Sequence, residues 1–213
     1  MFMRDVMSTN VVTIPSTTSV YDAKKIMEAH KFRRLPVVDR GKLVGIVTEH
    51  GLESISPSKA TSLSVWEINY LLTKTTVTEV MSRDLVTVTP DMTVEEAVSL
   101  AQLRKVGALI VVEDGKVVGI ATTNDFFYHI VNPILGLGQP GTRIEVTAGG
   151  DAKTTEAVMG VLNKHGVGLL GLHSIAPPEA KKNDLCVHVD TEEAGKIVEE
   201  LKSLGYQVSV RAR

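Results

Sequence analysis

Short apolar or alternating runs recur along the chain, each bounded by Gly, Pro, Ser or Thr. Val11 to Ile14, Leu35 to Val38 and Leu43 to Thr48 read as strands, the last two joined by a hairpin turn at Arg40-Gly41. Between the first and second runs, Val20, Ala23 and Met27 recur at i, i+3 and i+7, which predicts a core-facing helix capped by Ser19. The same order then returns. Leu85 to Val88 is followed by Val94, Ala97 and Ala101 behind the cap Thr93, then by Leu109 to Val112 and Val117 to Thr122 around Asp114-Gly115. A further helix is expected to start near Thr48 in the first set and near Thr122 in the second.

The recurrence keeps register. Val6-Met7-Ser8 returns as Val80-Met81-Ser82, an offset of 74 positions that also carries Val12-Thr13 onto Val86-Thr87 and Val37-Val38 onto Val111-Val112. It ends with Val44-Gly45-Ile46 on Val118-Gly119-Ile120 and Thr48 on Thr122. The first part of the chain is therefore two copies of a β-α-β-β-α unit, each too small to cover both sheet faces alone, so the copies are expected to pair. The copies are bounded as 1–53 and 77–132, with a linker at 54–76. Within that linker Ser54 to Ser64 reads as a loop, and Val65 to Leu72 as a short amphipathic helix on which Trp66 is expected to be a packing anchor. Pro133 to Gly141 reads as a second linker. Over 142–213 the pattern changes to βαββαβ, the ferredoxin-like order, making the whole chain α/β (α+β). That fold hosts unrelated functions and decides none.

Composition narrows the function classes. The 213 residues are 43% hydrophobic and 23% charged, a globular balance that excludes a disordered chain. The formal net charge of −2 gives no bulk footprint for nucleic acid, and 4% aromatics supply no stacking platform for single strands. The single cysteine, Cys186, sits in an apolar alternation and reads as a small buried hydrophobe. No N-terminal apolar segment and no run of ~18 apolar residues is present, which makes a cytoplasmic protein without membrane contact the expectation. The six histidines show no ligand spacing, and neither a P-loop nor Gly-x-Ser-x-Gly occurs, so no metal is expected. An enzyme would have to use His173 or His188 with Cys186 or Asp190, and nothing in their spacing implies convergence, so none is expected.

The candidate chemistry lies in the second copy, at Gly119-Ile120-Ala121-Thr122-Thr123-Asn124-Asp125. A strand ending at a helix start exposes amide N–H groups suited to an anion, and Thr122 can add a hydroxyl donor. Asp125 can accept two hydrogen bonds from a ribose diol, and Gly119 leaves room for close approach. The same Thr-x-x-Asp spacing also makes a helix capping box that binds nothing.

Val6-Met7-Ser8, the helix entered at Val20, Leu35-Pro36-Val37-Val38-Asp39 and the two Gly-Ile-x-Thr stretches together resemble a tandem pair of cystathionine-β-synthase (CBS) domains, the Bateman module, over about Met1 to Val131. The resemblance implies an adenosine-containing ligand (AMP, ADP, ATP, S-adenosylmethionine or NAD) held by Gly-h-x-[Ser/Thr]-x-x-Asp. Gly119, Thr122 and Asp125 match it in full, whereas the first copy has Gly51 where the aspartate belongs. It further implies adenine contacts from Thr87-Val88 with Val111 as a wall, and phosphate contacts from Arg33 and Arg34, whose counterparts are the uncharged Gly107 and Ala108. About Thr142 to Arg213 resembles an ACT domain, but Gly168 stands where amino-acid-binding members often have Asn, so a dimerising role is favoured over an amino-acid sensor. The order of two CBS units, a Trp66-containing helix and ACT is similar to the acetoin-utilisation (AcuB-type) family. Together these resemblances imply a non-enzymatic regulatory homodimer acting on an unidentified enzyme or protein. An oligomerising scaffold without ligand is the alternative.

Overall fold

The computed structural model describes residues 1–55 and 64–212, so most of the loop expected over Ser54 to Ser64 lies outside the described residues. The chain divides into two compact units, Met1–Phe126 and Phe127–Arg213, the division falling ahead of the linker expected at 133–141.

The first unit opens with α1 (Met3–Val6), α2 (Val20–His30), the hairpin β1 (Arg34–Asp39) and β2 (Lys42–Thr48), and α3 (Glu49–Ser54). It continues through α4 (Val65–Lys74), a 3-10 turn at Val77–Glu79, β3 (Thr87–Val88), α5 (Val94–Leu103), the hairpin β4 (Ala108–Glu113) and β5 (Lys116–Thr122), and α6 (Thr123–Phe126). Local chemistry sets these limits. The Ser19 and Thr93 hydroxyls accept the N–H groups of Asp22 and Glu96, capping α2 and α5 as their sequence position predicts. Each hairpin turns through two consecutive positive-φ residues, Arg40-Gly41 and Asp114-Gly115, the conformation of a tight I′ turn. Both hairpins shift register at the same place, Val37/Val38 and Val111/Val112.

The first run of each copy is shorter than its apolar pattern suggests. In the second copy only Thr87 and Val88 form a strand, parallel to β4, and in the first Ile14 makes an isolated parallel bridge to Val37. Pro15 and Pro90 end these runs by removing a donor. Trp66 corrects its sequence reading. It is 85% exposed, and α4 instead packs on the first copy through Leu72 and Ile68.

The two copies exchange their leading segments. Ser8 bridges Ile120 of the second copy (N–H to O 2.9 Å and 3.0 Å), and Ser82 bridges Ile46 of the first (2.9 Å and 3.0 Å). Phe2 pairs with Thr93 just as Thr76 pairs with Ser19. Met3, Val6 and Val77 on these segments are fully buried, each worth roughly 1.5–3 kcal/mol of apolar burial, so the exchange forms part of the core. It also explains two glycines. A side chain at Gly119 or Gly45 would run into Met7 or Met81, the methionine of the opposite copy's leading segment.

The second unit begins with a π turn at Phe127–Val131 and α7 (Asn132–Leu135). Then come β6 (Thr142–Val146), α8 (Ala152–His165), β7 (Leu169–Ile175), β8 (Asp184–Val189), α9 (Gly195–Ser203) and β9 (Val208–Ala212). The four strands lie in the order β7-β8-β6-β9, all pairs antiparallel, which is the ferredoxin-like arrangement its sequence predicts. Ile144, Val146, Leu185 and Val187 from the sheet meet Val158, Leu162, Ile197 and Leu201 from α8 and α9 to form its core. Cys186 is buried in β8. No helix among the described residues is long and apolar enough to cross a membrane.

Candidate functional site

A cleft of about 340 Å³ opens in the first unit between the two copies. Thr122, Asn124 and Asp125 line it from the second copy, and Lys31, Phe32, Arg33 and Arg34 from the first. Ser8, on the exchanged segment, stands against Asp125, while Val11, Val12, Pro36 and Ile120 supply apolar wall.

The Asp125 carboxylate is the polar centre. One oxygen, Oδ2, accepts the Thr122 N–H at 2.7 Å and the Thr122 hydroxyl at 2.6 Å. The other, Oδ1, accepts the Ser8 hydroxyl at 3.1 Å. The carboxylate half of the capping box foreseen from Thr-x-x-Asp is thus present, and the Thr122 hydroxyl is committed to the carboxylate. Donors for an anion come from the opposite wall. Lys31, Arg33 and Arg34 place three cations against a single lining carboxylate. Arg33 meets Glu49 only at 3.7 Å with both side chains mostly exposed, a pair worth little. Arg34 has no carboxylate partner among the described residues, and a side chain at Gly107 would meet its guanidinium, so the glycine opposite leaves the arginine its place.

Of the residues singled out from sequence, Thr122, Asp125, Arg33 and Arg34 come together in this cleft. Gly119, Thr87, Val88 and Val111 stand apart from it. Gly119 is buried and its free side is filled by Met7, which takes the room reserved for a ligand. Val88 and Val111 are core residues, 3% and 0% exposed, and Thr87 faces a separate groove beside the hairpin turns. The early segment that reaches the cleft is that of the first copy, at Val11 and Val12. Ser8, Lys31 and Phe32 are additional lining residues that spacing alone does not select. Ser8 sits in the repeated Val-Met-Ser motif, but its neighbour depends on the exchange of segments, which no local pattern displays. Among the described residues no group of His, Cys, Asp or Glu could hold a metal ion.

Comparison with known proteins agrees with this architecture. The chain is 32% identical over 140 residues to inosine-5′-monophosphate dehydrogenase of Korarchaeum cryptofilum, a match spanning 65% of this chain and 26% of that enzyme. A Vibrio cholerae protein assigned to acetoin utilization (AcuB) is 33% identical over 64% of this chain and 94% of that structure, with a TM-score of 0.52. The CBS domain pair of protein MJ0100, solved with 5′-methylthioadenosine and S-adenosyl-L-methionine, is 28% identical over 60% of this chain and 94% of that one, with a TM-score of 0.49. The CBS domain model matches twice, at residues 3–54 and 77–132, just over half of the chain and the same two copies that the repeat and the exchanged segments define, and the chain belongs to the CBS-domain family.

Proposed function

We propose that the protein is a non-enzymatic regulator that senses an adenosine-containing ligand in the cleft around Asp125. The observation that carries this is the meeting of a diol-accepting carboxylate from one copy with a cluster of cations from the other in one cleft of about 340 Å³. The ribose would bond Asp125, the base would lie against Val11, Val12 and Ile120, and phosphates would face Lys31, Arg33 and Arg34. Such a ligand touches both copies, so it favours the arrangement in which the two walls stand at bonding distance. The second unit is read as an ACT-like module that dimerises the chain, and the regulated enzyme or protein is a further partner. The Asp190 carboxylate occupies the space beside Gly168 and accepts its N–H at 2.7 Å, which counts against an amino acid bound at that turn.

A thermal-shift panel of AMP, ADP, ATP, S-adenosylmethionine and NAD tests the reading. At 100 times Kd a ligand adds about 2.7 kcal/mol of stability. The phosphorylated compounds should shift the first unit and Asp125→Ala should abolish the shift. The scaffold reading has its own support in the two hydrogen bonds that Asp125 takes from Thr122. Under it Asp125→Ala lowers stability by about 1 kcal/mol and no nucleotide shifts either protein.

A further inference from the structure

We infer that Ser8 is a built-in competitor for the ligand's sugar at Asp125, so that filling the cleft is reported to the exchanged N-terminal segment; this rests on reading the cleft as a nucleotide site. A carboxylate offers roughly four lone-pair sites. Three donors already occupy Asp125: the N–H and hydroxyl of Thr122 on Oδ2, and the Ser8 hydroxyl on Oδ1. A vicinal diol brings two more, one beyond capacity. One resident donor must therefore leave.

Geometry decides which. The Thr122 bonds are 2.7 and 2.6 Å long and lie within one turn of the same chain. The Ser8 bond is the longest at 3.1 Å, spans 117 positions and comes from an exposed residue whose hydroxyl can take water instead. Ser8 yields. Its backbone forms one of the two bridges from the first copy's leading segment to the second copy, the one to Ile120, so release of the hydroxyl loosens that bridge. The opposite half has no such latch. Ser82 there directs its hydroxyl to the Asp84 carbonyl at 3.5 Å, and Gly51 offers no carboxylate.

The test titrates the full chain and Ser8→Ala with ATP, AMP and adenosine by calorimetry. Removing the competitor should tighten binding about two- to tenfold, the worth of one exposed hydrogen bond. Unchanged or weaker binding in Ser8→Ala overturns the latch and leaves the nucleotide reading standing. Failure of all three compounds to bind either protein overturns both. Hydrogen exchange on the unmodified protein is the second measurement, independent of how the variant folds. With saturating ATP the Ser8 and Ile120 amides should exchange faster relative to the matched Ser82 and Ile46 amides. A ratio that stays level or falls contradicts the mechanism.

Discussion

The two copies share a fold, a hairpin bulge and a reciprocal exchange of leading segments, yet their functional residues differ in a correlated way. The second copy keeps the carboxylate, Asp125, and lacks the basic pair, with Gly107-Ala108 in its place. The first keeps Arg33-Arg34 and has Gly51 for the carboxylate. Because the cleft takes one wall from each copy, the two retained features meet on one side of the pair. By register, the counterparts of these residues, Gly51 and Gly107-Ala108, carry neither a carboxylate nor a basic side chain. On the proposed reading, a duplicated unit has thereby placed its ligand-binding groups in one of two equivalent places. A site built across a pseudo-two-fold must be read across copies, since each copy alone looks half degraded.

The sharpest break of this comparison is to move the carboxylate. Asp125→Ala removes two charge-assisted hydrogen bonds to a diol, each worth about 1.5–3 kcal/mol, and should weaken ATP binding about 100-fold or more by calorimetry. Gly51→Asp in that background should restore little, because Gly107 and Ala108, the register counterparts of Arg33 and Arg34, bring no cation of their own. A Cβ at Gly51 would sit 3.2 Å from the Thr48 hydroxyl, so the substitution needs that hydroxyl to shift by a few tenths of an ångström. Strong ATP binding by the double variant would show that the arginines are dispensable and the comparison misjudged.

What a sequence reveals of such a site depends on the range over which each signal acts. The helices and hairpins are legible because Ser19, Thr93 and the Arg40-Gly41 and Asp114-Gly115 turns act within a few residues of themselves. Thr122 and Asp125 are legible for the same reason, as neighbours on one turn. Arg33 and Arg34 are reached only through the family resemblance, since their position beside Asp125 is a property of pairing. Placing Thr87 and Val88 in the wall assumes that a copy builds its own site, whereas Val11 and Val12 of the other copy stand there. Gly119 suggests space for a ligand because a sequence shows a missing side chain and not what fills it. Trp66 suggests core by its type, but α4 turns it outward.

Arg34→Ala sharpens the cross-copy claim next. Losing one cation from the phosphate wall should weaken ATP about tenfold while changing adenosine affinity far less. An equal loss for both compounds would place the arginine near the nucleoside instead. Smaller in reach, but direct for the shared architecture, are Gly119→Ala and Gly45→Ala. Each added methyl meets the methionine of the opposite leading segment, an overpacking that costs about 1–3 kcal/mol. The two should destabilise the first unit alike in urea unfolding. A large cost at one and none at the other would show that the exchange is not equivalent in the two directions.

The smallest expected effect separates the copies by pH. Asp39 accepts the Ser16 N–H at 2.9 Å, and hydrogen bonds from the Ser16 side chain and then its backbone hold the carboxyl below its ordinary value of 3.8. The second copy cannot repeat this, because the register puts Pro90 at the place of Ser16, with no N–H to give, and Glu113 at the place of Asp39. A carboxyl whose folded value is depressed contributes stability that is present above pH 3.8 and is lost as pH falls through the lower folded value. Asp39→Asn should therefore destabilise the first unit slightly at pH 7 and flatten its decline below about pH 4, with Glu113→Gln as the matched control. The group is only partly buried, so the change will be small and needs paired urea titrations at pH 7 and pH 3 to resolve it. A variant whose stability falls between those two pH values as steeply as the unmodified chain's would mean that Ser16 does not discriminate the charged carboxyl from the neutral one.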